Sequence, residues 1–297
     1  MEKLVTILKK IAHNFIVFEN LIKRKWHDNS VYNLNRNSSK GVPLMPFCQL
    51  EYGEIYYDEY GKGTPIIMIH PPAMGRKVFY YQYPLGEKFH LILPDLSGHG
   101  DSVSEKKVFS TTDYVEEVAA LLEHLHIKKA ILCGYSSGGN IVQEFALTYP
   151  ERTLAVILCG GFPEVDSIIL KYEHIVGMYM AKNHPHILAK GIATAHTADK
   201  GIRDMIYDHM IKTNQATWFH CYHDSLKFSC IHRLHELKMP FYLFYGSRDF
   251  SNKHIGIYKK HLPHVKTIII KKVAHQLITK KPKEFNDEVT RIIDEFK

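Results

Sequence analysis

Residues 129–149 read Lys-Ala-Ile-Leu-Cys-Gly-Tyr-Ser-Ser-Gly-Gly-Asn-Ile-Val-Gln-Glu-Phe-Ala-Leu-Thr-Tyr, and the fold turns on how this stretch is read. Lys129–Tyr135 is an apolar run that predicts a buried strand, and from Gly138 to Tyr149 the apolar spacing becomes that of an amphipathic helix. Between them stands Gly134-Tyr135-Ser136-Ser137-Gly138, a G-x-S-x-G pattern. Five residues of this kind coincide often in proteins. Their place at a strand-to-helix junction gives them weight, because a sharp turn there holds the serine hydroxyl out, and flanking glycines let neighbouring backbone come close.

The alternation continues on both sides. Strands are expected at Gln49–Tyr52, Glu54–Asp58, Ile66–His70, Leu91–Pro94, Leu154–Cys159, Phe241–Tyr245 and Val265–Lys271. Helices are expected from the caps Ser110, Thr111 and Thr112 to about His126, near Asn252–His261, and over Pro282–Phe296. This is the pattern of an α/β protein with a mostly parallel central sheet of about eight strands and flanking helices. Residues 163–235 interrupt it with helical stretches and nine of the twenty histidines, which reads as an inserted helical subdomain. Four parts result: an extension at 1–45, a first core part at 46–162, the insertion at 163–235, and a second core part at 236–297.

The composition fits a chain with a large core: 297 residues, 45% of them hydrophobic. The net charge of +7 is concentrated in residues 1–50, where eight Lys/Arg face three acids. The remaining body is close to neutral, so no basic stripe points to nucleic acid. Leu4, Leu8, Ile11, Phe15, Phe18 and Ile22 define one apolar helix face with lysines between them. Two readings follow for residues 1–25: a helix docked on its own protein, or peripheral contact with an anionic membrane. No run approaches the roughly 18 apolar residues that cross a bilayer, and no export signal is recognisable. Five cysteines without paired spacing suit a reduced chain, and a cytoplasmic location is expected, with the membrane surface as the variant.

The elbow and its surroundings resemble the α/β-hydrolase superfamily, in its serine-nucleophile, lid-containing branch. The likeness runs from about residue 48 to the end, through Asp95–Ser102, the elbow, the insertion, Gly246-Ser247-Arg248-Asp249 and Val273-Ala274-His275. The resemblance implies that Ser136 is the nucleophile, His275 its base and Asp249 the carboxylate that orients the base. Chain order Ser, Asp, His agrees with this fold. Glu164 and Asp166, after the strand Leu154–Cys159, stand where some relatives place the acid.

The resemblance further implies an oxyanion hole built from two backbone amides, one of them that of Ser137. The second normally follows a His-Gly pair, but this chain reads His70-Pro71-Pro72-Ala73-Met74-Gly75. Pro72 has no N–H to offer. Either the turn is re-registered so that Ala73 donates, or a side chain substitutes, or activity is low. His70 is expected to be structural. The insertion resembles a lid, and Tyr172, Met178, Tyr179, Met180, Trp218, Phe219 and Tyr222 would suit an apolar acyl or aryl group. His220/His223 and His232/His235 with Cys221 and Cys230 lack zinc-finger geometry, and neither a metal nor a cofactor is expected.

The expected function is a serine hydrolase that cleaves a small or medium carboxylic ester, or a related acyl bond, through an acyl-enzyme. Its partner would be a small-molecule acyl substrate. An acyltransferase on the same triad is one alternative, and a weakly active or non-catalytic ligand-binding protein, favoured by Pro72, is the other. Oligomeric state is open.

Overall fold

The computed structural model describes residues 46–295, so the expectations for the extension at 1–45 and for Phe296 lie outside the described residues. Nine strands form one sheet. In chain order they are β1 (Phe47–Leu50), β2 (Gly53–Tyr60), β3 (Pro65–Ile69), β4 (His90–Pro94), β5 (Val103–Ser104), β6 (Ala130–Tyr135), β7 (Thr153–Cys159), β8 (Phe241–Gly246) and β9 (Lys266–Ile270). The spatial order is β1-β2-β4-β3-β6-β7-β8-β9, with β5 paired to β2. From β4 through β9 every pairing is parallel, whereas β1, β4 and β5 each run antiparallel to β2.

The apolar runs that announced the central strands are buried on both faces. Along β3, Ile67 and Ile69 enter one apolar cluster while Ile66 and Met68 enter the other. On β8, Leu243 and Tyr245 oppose Tyr242 and Phe244 in the same way. A side chain of this size buried from water contributes about 1.5–3 kcal/mol, which is why the two-sided strands form the middle of the molecule.

One face is covered by α1 (Thr111–His124), through Val115, Val118 and Leu122, and by α2 (Gly138–Thr148), through Val142 and Phe145. The start of α1 is fixed by a capping box, in which Ser110 accepts from the Asp113 amide and Asp113 accepts from the Ser110 amide. The other face carries a 3₁₀ segment, Arg76–Glu87, and the C-terminal helix, whose Phe285, Val289, Ile292 and Ile293 are buried.

Between β7 and β8 the chain leaves the sheet for α3 (Ile168–Asn183), α4 (Pro185–His196), α5 (Lys200–Met210) and α6 (Gln215–Lys227). Gly177 lets α3 close on the Tyr222 ring of α6; a Cβ there would lie 2.7 Å from that ring. Beyond β8 follow α7 (His254–His261), α8 (Leu277–Lys280) and α9 (Pro282–Asp294).

Three details differ from the reading of the sequence. The ninth strand, β5, has two residues, too few to show a period. The Arg76–Glu87 segment was not anticipated, because its buried face includes Arg76 and Gln82 and its internal Pro84 argues against a helix. The first helix ends at His124 rather than about His126, whose φ of 55° is incompatible with continuing it. No helix among the described residues is long and apolar enough to cross a membrane.

Candidate active site

Strand β6 ends at Tyr135, and Ser136 follows with φ of 52°, in the left-handed region. That conformation costs an L-residue about 1–2 kcal/mol and is held here by the surroundings. The Ser136 amide donates to the Cys159 carbonyl at 2.8 Å, and the Ser136 carbonyl accepts from the Gly139 amide at 2.9 Å. A Cβ on Gly134 would lie 2.5 Å from Gly139 Cα, and one on Gly138 would lie 2.3 Å from the Ile69 carbonyl oxygen. Both glycines of the motif are therefore required by close backbone approach.

The loop after β9 brings His275 over this turn. Its Nε2 lies 2.9 Å from Ser136 Oγ and its Nδ1 lies 3.0 Å from Asp249 Oδ2. Asp249 follows β8 and divides its oxygens, Oδ2 to the imidazole and Oδ1 to the Ser251 amide at 2.9 Å. The acid and base loops are tied by backbone: the Ser247 amide donates to Ile270 O and the Arg248 amide to Val273 O. The ring is held from two sides. Tyr135 stacks on it with centroids 5.5 Å apart, and Gly160, with φ of 64°, lies so close that a Cβ would stand 2.6 Å from His275 Cε1.

Burial disfavours the imidazolium form of His275, but the hydrogen bond and charge of Asp249 outweigh it, with Glu173 of α3 adding to them, and its pKa is raised. Burial likewise works to raise the pKa of Asp249, and the His275 contact and Ser251 amide hold it below its ordinary value. A serine hydroxyl, an imidazole and a buried carboxylate thus stand in hydrogen-bonded series.

The Pro71–Met74 segment makes a turn closed by the Met74 amide donating to Pro71 O at 3.2 Å. Pro72 takes its second position, and Ala73, with φ of 63°, the third, where glycine is usual. Ala73 is fully buried. Just before this turn, His70 Nδ1 donates to Pro71 O and Nε2 accepts from the Leu96 amide; burial lowers its pKa to about 4, so it stays neutral. A cavity of about 30 Å³ opens beside Ser137, between Pro72, His99, Tyr114, Ile141 and Cys221.

Other candidates are engaged elsewhere. Asp166 accepts from Lys253 and His254, and Glu164 from Ser229, so neither carboxylate meets His275. Cys221 Sγ faces Tyr114 OH and His99, while Cys230 bonds Gln143, and the His220 and His223 rings pack with Phe219. The aromatic and methionine residues expected to shape a pocket do not line the cavity beside Ser137: Trp218 and Met180 are buried in the packing, and Tyr179 is exposed. The sequence reading missed Gly160 and Glu173. For Gly160 a signal existed, since Cys159-Gly160-Gly161 ends a strand neighbouring the elbow. For Glu173, one acid on a helix far away in sequence, there was none.

Residues 64–200 match a family model described as the alpha/beta hydrolase fold. A relative from Leptolyngbya boryana named "Probable proline iminopeptidase" is 34% identical over 141 residues, 46% of this chain and 41% of that protein. The chain spans between 32% and 48% of the length of the curated relatives it matches. Among solved structures, a carboxylesterase from the thaumarchaeon Nitrososphaera gargenis superposes with a TM-score of 0.74 at 22% identity, covering 84% of this chain and 98% of the other. An esterase from Exiguobacterium antarcticum gives 0.77 at 16% identity, covering 84% and 100%. With its parallel sheet, its strand-to-helix elbow and the order of its blocks, the chain has the α/β hydrolase fold.

Proposed function

We propose that the protein is a serine hydrolase that cleaves a small or medium carboxylic ester, or a related acyl bond, through an acyl-enzyme. The observation that carries this reading is the series Ser136 Oγ, His275 Nε2 at 2.9 Å, and His275 Nδ1 to Asp249 Oδ2 at 3.0 Å. His275 accepts the Ser136 proton as the oxygen attacks the carbonyl, and returns it to the leaving alcohol. It then takes a proton from water, which attacks the acyl-enzyme, and the acid leaves as Ser136 regains its proton. Asp249 holds the ring in the Nδ1–H tautomer and stabilises the imidazolium of each transition state. The Ser137 amide, at the N-terminus of α2, and the Ala73 amide are assigned to the oxyanion. No step calls for a cofactor.

The names of the similar proteins, esterases among the solved structures and an iminopeptidase among the curated relatives, support hydrolysis at an acyl carbon. This reading places a compact acyl group in the small cavity that borders the elbow at Ser137. Pro72 supports a second reading, a binding protein with little turnover, because it removes the amide that usually donates.

A fluorophosphonate probe followed by peptide mapping tests the first reading. Labelling at Ser136, lost in Ser136→Ala, is the expected result, and an unlabelled folded protein refutes it. Multiple turnovers of p-nitrophenyl esters count for hydrolysis, and a burst without turnover counts for the binding protein.

A further inference from the structure

A cluster of buried charges sits directly behind the turn that carries Ala73. Arg76, the first residue of the 3₁₀ segment, is 1% exposed and bonds three carboxylates: Asp58 Oδ1 at 2.9 Å, Asp101 Oδ2 at 2.8 Å, and Asp95. Asp95 is fully buried and saturated. Its Oδ1 accepts from the Arg76 amide at 2.6 Å and from His209 Nε2 at 2.9 Å, and its Oδ2 accepts from the Asp101 amide at 2.9 Å and from the Arg76 guanidinium. Asp95, Asp101 and His209 have the proximity of a metal-ligand set, but Arg76 already bonds both carboxylates.

Three residues that reach this arrangement belong to the insertion rather than the sheet: His209, Thr213, and Lys212, whose Nζ donates to Asp101 Oδ1 at 2.6 Å. His209 lies in α5, and its ring is packed on Gly75, where a Cβ would come 2.5 Å from His209 Cδ2. Thr213, just beyond α5, donates from Oγ1 to the Ala73 carbonyl at 3.3 Å. The peptides on either side of Met74–Gly75 are thus gripped, one at the Ala73 carbonyl and the other at the Arg76 amide. Ala73 has φ of 63° and Gly75 has φ of 59°, so this is a stretch that the local sequence does not hold in place unaided.

We infer that His209 and Thr213 of the insertion, acting through Asp95 and the Ala73 carbonyl, are positioning residues that hold the Pro71–Gly75 turn so that the Ala73 amide takes over the role that Pro72 cannot fill. The inference rests on the proposed serine hydrolase reading and deepens it. A pair of adjacent prolines pre-sets the turn on one side, and the insertion supplies the restraint on the other. His209 and Thr213 contribute to catalysis through the oxyanion hole, without touching the substrate.

The test uses the full chain, p-nitrophenyl acetate and a trifluoromethyl ketone, which forms a tetrahedral adduct on serine. Losing an oxyanion donor lowers kcat by about 10²- to 10³-fold, so His209→Ala is expected to lower kcat by about 10²-fold with KM within about threefold. Affinity for the ketone should fall by the same factor. His209→Gln, which keeps an N–H directed at Asp95, should recover most of kcat, whereas a residue that only fills space would not be rescued in this way. Thr213→Val removes the bond to Ala73 with little change of shape and should lower kcat by about threefold to tenfold. It keeps the test decisive should His209→Ala not fold. Wild-type kcat in both Thr213→Val and His209→Ala, or equal losses in kcat and 1/KM without loss of ketone affinity, overturns the inference. A wild-type protein that fails to react with the fluorophosphonate overturns the underlying reading instead, so the two failures are told apart.

Discussion

Glu117, on the inner side of α1, should make the protein less stable as pH rises through neutrality. It is 1% exposed, accepts from the Ser97 amide at 3.0 Å and from Tyr52 OH at 3.1 Å, and has no cationic partner among those contacts. Burial pushes its pKa up to about 7 from 4.5, with the Ser97 and Tyr52 hydrogen bonds opposing. A carboxyl with a raised pKa holds its proton longer in the folded state than in the unfolded one. The favourable contribution is therefore complete below about pH 4.5 and is lost as pH rises to about 7 and beyond. The gap corresponds to about 3.4 kcal/mol, of which about 2.5 kcal/mol falls between pH 5 and pH 8. Glu117→Gln keeps an acceptor for the Ser97 amide and removes the titration. Urea unfolding of both proteins at steps from pH 5 to pH 8 reads the difference. The stability of Glu117→Gln minus that of wild type should grow by about 2 to 3 kcal/mol across this range. Parallel stability curves would show that Glu117 is solvated well enough to ionise freely, and would refute the reasoning.

Three further outcomes concern the site. Asp249→Asn should lower kcat by about 10⁴-fold with KM little changed; because Asp249 holds the His275 pKa up, the acid limb of the kcat/KM profile should move to lower pH, and an unmoved limb would speak against the pairing. Gly160→Ala places a methyl 2.6 Å from His275 Cε1 at a position with φ of 64°, so fluorophosphonate labelling should slow by at least about 10²-fold, and unchanged labelling would show that the ring has another place to sit. With a cavity of about 30 Å³ beside Ser137, acetyl and butyryl esters should outrun octanoyl esters by about tenfold or more, and Cys221→Ala should narrow that ratio; a preference for long chains would place the acyl group elsewhere.

The elbow was legible because three independent signals coincide there: a buried strand, glycines at the two points of closest backbone approach, and a helix. Asp249 and His275 could be placed from the superfamily order because each follows a strand that announces itself by an apolar run. The buried Arg76–Asp95–His209 cluster was not legible. Asp95 and His209 are 114 positions apart, and an aspartate in a turn and a histidine in a helix each have a dozen ordinary explanations. The 3₁₀ segment escaped for a different reason: its buried residues, Arg76, Val78, Phe79, Gln82 and Leu85, include two polar ones, so its inner face does not announce itself as apolar. Periodicity reports regular elements with an exposed side. It does not report what a charge buried in a loop is paired with.

The insertion leaves the sheet after Cys159 and returns at Phe241, and its two ends lie on adjacent parallel strands, offset by three residues, since Phe241 stands opposite Val156 and Cys159 opposite Phe244. The excursion of about eighty residues is thus, to the sheet, a parallel crossover whose ends are already fixed by the pairing of β7 with β8. Loop-closure entropy grows only with the logarithm of length, so doubling such an excursion costs about 0.6 kcal/mol. The sheet places almost no tax on what is inserted there. A chain can therefore exchange, lengthen or trim this segment while β7 and β8 stay in register, and the features that must survive any such exchange are the few side chains through which the insertion reaches back to the turns around Ser136.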